Sequence, residues 1–273
     1  VAKKKIHRRV RRGGAPQLPV QAERDFARAL VRMASAFGKR LRAIGLPLAK
    51  KIGLPPPERA DANIERAPET SSDTRASAKS AKAQVERAAK ESFNDKALRA
   101  EAARASRRVD SHSKDQFRKL GIDPKKEPVL GVLVQGWTRD VSQRVSDLGK
   151  EQAKKLEAIL LSGQTRHAAT LAREIEEQLG VAQSRAEFIA RDSIGVLNSK
   201  VTRARYLAAD IESYIWTTMS DDRVRDAHEA LDGVVFDVDG PGDPDEGHPG
   251  EAPNCRCVQF PLKHDAPADE GEE

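Results

Sequence analysis

The sequence predicts an α+β protein: a mostly helical, extended N-terminal region followed by a small C-terminal α+β domain carrying a short antiparallel sheet. Two patterns and the composition point there. Apolar residues recur at steps of three and four as far as about Ala209, the spacing of a helix face. After Ile211 the period changes, and Tyr214-Ile215-Trp216-Thr217-Thr218 is rich in the β-branched and aromatic types that strands favour. The chain of 273 residues is 38% hydrophobic, 4% aromatic and 33% charged. That is thin for one large core and suits elongated helices beside one compact domain.

Residues 1–20 read as a basic disordered arm, because Gly13-Gly14, Pro16 and Pro19 interrupt any helix. Lys3, Lys4, Lys5, Arg8, Arg9, Arg11 and Arg12 cluster there, which suits either nucleic-acid phosphate contact or a merely solubilising tail. Residues 21–72 read as an amphipathic helix and a Pro-rich linker. Phe26, Leu30, Met33, Phe37, Leu41 and Ile44 form one stripe. Gly45 and Pro47 end it, and Pro55-Pro56-Pro57 stiffens the linker.

Residues 73–180 read as a helical region. Ala, Lys, Arg and Glu dominate from 75 to 110, with a weak apolar face at Val85, Ala89, Phe93, Ala97 and Ala100. Gly121 and Pro124 mark a break. Trp137, Val141, Val145, Leu148, Leu156 and Ile159 belong to a long helix ending near Ser162-Gly163. Ala168, Leu171, Ile175 and Leu179 form a shorter one, stopped by Gly180. Ser184 and Glu187 then make a capping box, opening a helix that runs to about Ala209.

Residues 181–264 read as the α+β domain. Residues 214–218 form a strand, Ser220-Asp221-Asp222 starts a short helix, and Gly233 closes it. Residues 234–236 and 257–260 are two further short strands. The acidic loop with Asp237, Asp239, Asp243, Asp245 and Glu246 reads as solvated, and residues 265–273 as an acidic tail. No internal repeat is evident.

The net charge of +6 is concentrated in the N-terminal arm. No apolar run reaches the length of a membrane span, and no apolar segment follows the basic N-terminus as in a signal peptide. Two cysteines one residue apart make no secreted disulfide framework, so synthesis in a reducing cytoplasm is expected.

Chemistry-bearing residues concentrate near the end of the chain. In the short helix Val224, His228 and Leu231 share a face, which turns His228 inward. In Cys255-Arg256-Cys257 both thiols point one way and Arg256 the other. His228, His248, Cys255 and Cys257 have the donor types of a tetrahedral zinc site. The plainer reading is two small buried thiols and a hydrogen-bonded core histidine, with no cofactor. A His228–Cys255 nucleophilic pair lacks an orienting third group. Asp222, Asp226 and His228 together allow a divalent-ion nuclease centre, although acids at a helix start more often act as caps. Trp216 and Tyr214 read as core or interface anchors. Asp222 is expected to pair with Arg256 or Arg225.

These residues, read together, resemble the phage head morphogenesis family, the minor head proteins of tailed phages typified by the F protein of phage Mu. The motifs are Arg185-Ala186-Glu187 with Ile189-Ala190-Arg191, Trp216-Thr217-Thr218, Asp222-Arg223-Val224-Arg225 with His228, and Leu231-Asp232-Gly233. His248-Pro249-Gly250-Glu251, Cys255-Arg256-Cys257 and Pro261 complete the pattern, which covers residues 180–262. The resemblance implies a structural, non-enzymatic minor capsid protein of the virion. It would sit in the capsid interior near the portal, after assembly in the host cytoplasm. Its implied partners are the portal protein, capsid and scaffold proteins, and double-stranded DNA through the basic arm, with roles in head assembly, DNA packaging or ejection.

On the same resemblance, Trp216, Asp222, Arg223, Arg225, His228, Gly233 and Arg256 hold the domain or its interface. Some relatives carry Cys-x-x-Cys where this chain has Arg225-Asp226-Ala227-His228, and a His where it has Ala252. A four-ligand metal site here would need His248 as the substitute donor. The alternatives are a metal-dependent nuclease or phosphodiesterase, and a plain DNA-binding module.

Overall fold

Helices built on alanine-rich, charge-rich sequence carry most of this chain, and a three-stranded sheet lies near its C-terminal end. A computed structural model describes residues 17–54, 71–123 and 130–262. The helices are α1 (Val20–Ile52), α2 (Ser71–Ser92), α3 (Asp95–Lys119), α4 (Leu130–Leu161), α5 (Ala168–Ala208) and the short α6 (Asp226–Leu231). The strands are β1 (Ser213–Thr217), β2 (Val235–Asp237) and β3 (Val258–Leu262). The α+β class expected from sequence is the class observed. The basic cluster from Lys3 to Arg12, the triple proline and the acidic tail lie outside the described residues. Among the described residues no helix is long and apolar enough to cross a membrane.

The chain divides into two compact units. The helical unit is drawn from Phe26–Ala102 and Arg139–Ala190, and the sheet unit from the described residues of Val1–Asp25, Ala103–Thr138 and Arg191–Glu273. The boundary expected at 180/181 falls inside α5.

In the helical unit, Phe26, Leu30, Phe37 and Leu41 of α1 are buried, as their spacing requires, while Met33 and Ile44 are partly exposed. Gly45 does not end α1. A Cβ there would lie 3.0 Å from Leu156 Cδ1 and 3.1 Å from Ile175 Cδ1, so Gly45 permits close approach of neighbouring helices. Pro47 sits on the exposed side of α1, where the carbonyl it leaves unbonded can meet water. The expected single helix over 75–110 is instead two. Phe93 turns inward, and the Asn94 side chain accepts the Ala97 N–H at 3.1 Å, capping α3.

Gly180 does not stop a helix either, and α5 runs unbroken for 41 residues. Its cost relative to alanine, about 1 kcal/mol, is outweighed by the buried line of Leu171, Ile175, Ala182, Ala186 and Ile189 on both sides of it. Ser184 and Glu187 are exposed mid-helix residues, not a capping box.

In the sheet unit the strand order is β2-β1-β3, antiparallel throughout. Tyr214 stands opposite Phe236 on one side and Pro261 on the other. Proline lacks an N–H, and β3 is an edge strand, where that loss is tolerated. The core gathers Phe117, Tyr206, Tyr214, Trp216, Phe236 and Val238. Arg205, 1% exposed, is held by the carboxylate and carbonyl of Asp110 and lies over the Phe117 ring. Burial raises the Asp110 pKa, but hydrogen bonds from Lys114 and Arg205 outweigh it and leave the net value lowered.

Candidate functional site

The site forms where the chain leaves β1. The Thr218 N–H and hydroxyl donate to Asp232 Oδ1 at 2.8 and 3.0 Å, closing a loop around α6. Residues 221–224 make a turn in which Asp221 Oδ1 accepts the Arg223 N–H at 3.2 Å. The short helix begins at Asp226, beyond the start at Ser220-Asp221-Asp222 that its acids suggested. Gly233, at φ +78°, turns the chain back so that its N–H reaches the Trp216 carbonyl at 2.9 Å. This fixes His228 with its ring edge-on to Trp216, centroids 5.4 Å apart, and only 3% exposed.

The cysteines reach the same point from the other direction, in the segment entering β3. Asn254 adopts φ +58°, and its N–H donates to Asp192 Oδ1 of α5 at 2.7 Å. Cys255 Sγ lies 3.5 Å and Cys257 Sγ 3.4 Å from His228 Nδ1. The backbone N–H groups of Gly250 and Cys257 donate to Cys255 Sγ at 3.3 and 3.4 Å. His228 Nε2 lies 2.8 Å from Glu246 Oε2. A hydrogen bond to that carboxylate needs the proton on Nε2 and leaves Nδ1 facing the two thiols. The Cys257 thiol donates toward Cys255 and brings the Cys255 pKa down to about 6; burial opposes this, and the two N–H groups assist. Cys257 is pushed up, first by giving that hydrogen bond and then by burial.

Sequence reasoning placed His228, Cys255 and Cys257 together, and their donor atoms do converge within 4.8 Å of one another. His248 does not join them. It is 2% exposed, but Tyr214 Oη is 2.6 Å from its Nδ1, and the Gly240 carbonyl is 3.0 Å from its Nε2. Both ring nitrogens are engaged elsewhere, so His248 is a core histidine. Burial, with Arg203 adding, holds its pKa below the usual histidine value. The His248-Pro249-Gly250-Glu251 motif is a turn: Glu251 accepts the His248 N–H at 3.1 Å and pairs with Arg203. Gly250 adopts φ +90°, and a Cβ there would lie 3.1 Å from the Gly195 carbonyl.

The charged residues also differ from expectation. Arg256 pairs with Asp221 at 2.5 Å, not with Asp222, because the turn points residue 221 toward the cysteine segment. The Arg256 hydrogen bond lowers the Asp221 pKa. Asp222 and Asp226 are exposed and do not join His228 in a donor cluster. Arg225 donates to the Pro253 carbonyl and lies 3.6 Å from Glu246. Arg223 is exposed, 3.9 Å from Asp221. Trp216 is fully buried, as expected of a core anchor.

Glu246 was missed. In sequence it is one of several acids in a Gly- and Pro-rich loop read as solvated. The loop is folded: Asp243 accepts the N–H groups of Asp245 and Glu246 at 3.1 and 3.3 Å. One face of α5 seats the whole assembly. Asp192 meets Asn254, Gly195 meets Gly250, Ser199 bonds Gln259, Arg203 bonds the Val238 carbonyl, and Tyr206 bonds the Gln259 carbonyl.

Residues 150–260 match the model of the family described as Phage Mu protein F like protein. The resemblance drawn from the motifs therefore holds over that stretch, which includes the whole cluster. An uncharacterised protein of Haemophilus influenzae is 31% identical over 140 residues, half of this chain. The chain spans 31% of the length of that relative. No solved structure matches.

Proposed function

We propose that this chain is a structural minor head protein of a tailed phage that acts in head assembly at the portal vertex. The observation that carries this reading is the family match over residues 150–260, a segment in which Arg256, Gly250 and Gly233 of the shared motifs each find a structural partner. Arg256 locks to Asp221, Gly250 to α5 and Gly233 to β1, so the motif residues build a small rigid body. Such a body suits attachment within a larger assembly. Contact with packaged DNA falls to the basic arm, and influence on packaging or ejection follows from a seat beside the portal channel.

The test is co-expression of the full chain with the portal protein of its own phage. Co-elution at a fixed ratio is expected, with crosslinks mapped to described helices or to the sheet unit. Failure to associate with the portal or any head component, together with DNA cleavage abolished by His228→Ala, would replace this reading with the nuclease. Salt-sensitive DNA binding lost on removing residues 1–14, without any head association, would favour a plain DNA-binding module.

A further inference from the structure

We propose that His228, Cys255 and Cys257 bind one zinc ion, through Nδ1 and two thiolates, with water completing the tetrahedron. Zn–N bonds of about 2.0–2.1 Å and Zn–S bonds of about 2.3 Å place tetrahedral nitrogen and sulfur ligands about 3.6 Å apart. The two sulfurs lie 3.5 and 3.4 Å from the one nitrogen. Hydrogen bonding alone accounts poorly for this. A single Nδ1 lone pair accepts one S–H well, yet two sulfurs stand at nearly the same distance. One cation at their centre satisfies all three.

The surroundings are those of a metal-bound imidazole and thiolate. Glu246 holds the Nε2 proton of His228, an arrangement that sets the tautomer and raises the basicity of a coordinating ring. Arg225 holds Glu246 in turn. Cys255 Sγ receives two backbone N–H donors. The buried Trp216 indole N–H makes no hydrogen bond among the described residues.

The ligand set is not the four-donor set read from sequence, because His248 is committed to Tyr214 and Gly240. Among the described residues no other His, Cys or carboxylate joins the three donors. They line a small pocket with Met219, Arg223, Arg225 and Asn254, and the fourth ligand position falls to solvent there. The ion would staple α6 to the segment entering β3. This inference is independent of the head-assembly reading, since it concerns the isolated chain.

The test uses the full chain, expressed with added zinc and purified without chelators. About one zinc per chain is expected by elemental analysis. Replacing it with cobalt(II) should produce thiolate-to-cobalt charge-transfer absorption and the visible bands of a tetrahedral ion. Cys255→Ser and Cys257→Ser should each abolish that signal. Because either variant can fail to fold, Glu246→Gln supplies a second arm: circular dichroism should be unchanged, and zinc affinity should fall about 10–100-fold. His248→Gln should keep its zinc. A folded wild-type chain that holds no zinc and gives no thiolate–cobalt absorption overturns the proposal. Loss of zinc from folded His248→Gln overturns the ligand set.

Discussion

The helical unit buries almost nothing polar; among the described residues Thr74 and Gln152 are its buried polar side chains. The sheet unit buries His228, His248, Arg205, Gln259, Thr218, Asp192 and several serines. The difference follows from backbone bookkeeping. A helix satisfies its own N–H and C=O groups, so its inner face is free to be apolar. Turns and short strands leave backbone groups over, and side chains must meet them. Asp192 serves the Asn254 N–H, Asp232 the Thr218 N–H, Glu251 the His248 N–H and Asp243 the Glu246 N–H. Groups with altered pKa divide the same way. In the helical unit they are surface partners such as Lys82, Asp147, Arg166 and Glu174, whereas in the sheet unit they include His248, Cys255 and Cys257.

The contrast can be broken at either end. The largest expected effect is in the helical unit: Phe37→Ala opens a cavity beside Phe93, whose ring centroid lies 5.5 Å away. A loss of about 4 kcal/mol is expected in denaturant unfolding, with no new pH dependence. A loss under about 1 kcal/mol would mean that apolar volume is not what holds this unit.

Next is Asp110→Ala, which leaves the Arg205 guanidinium buried without its carboxylate. About 3 kcal/mol is expected, by analogy with other broken buried pairs. Near-neutrality would remove polar pairing as the basis of the sheet unit. Tyr214→Phe should cost about 1–2 kcal/mol, because it strips the His248 Nδ1 of its partner without opening space. Faster amide exchange confined to residues 235–254 would sharpen the contrast, and unchanged exchange there would contradict it.

The smallest effect is a pH slope. His248 resists protonation in the fold, chiefly through burial, while Arg203, Glu251, Tyr214 and the Gly240 carbonyl surround it. The unfolded chain takes up this proton near the ordinary histidine value of about 6.5. Stability from this group is therefore complete above that pH and falls as pH drops toward the lowered native value. In chelator-treated protein, acidification from neutral should loosen the sheet unit first, and His248→Gln should flatten the slope. An equal slope in both proteins would assign the effect to other groups.

Most helices were legible because a helix face is written locally, in steps of three and four. Their ends were not. Gly45 and Gly180 looked like stops, and only the neighbours at Leu156, Ile175 and along α5 show why the chain continues. At Asn94 the opposite happened, and a short side-chain cap divided an otherwise uniform Ala-rich run. In the site, donor types announced His228, Cys255 and Cys257, since few residues offer that chemistry. Glu246, the partners of His248, and the choice of Asp221 over Asp222 depend on loop paths that no local pattern records.

The line of contacts along α5 has one more consequence. Asp192, Gly195, Ser199, Arg203 and Tyr206 all meet the C-terminal segment, at Asn254, Gly250, Gln259 and Val238, and their spacing keeps them on one side of the helix. Adding or deleting a single residue among them would rotate every later position by about 100° and misindex the whole seat. Length changes in this part of the molecule are thus expected to be tolerated only in the loops, and the helix acts as a ruler whose graduations cannot be shifted singly.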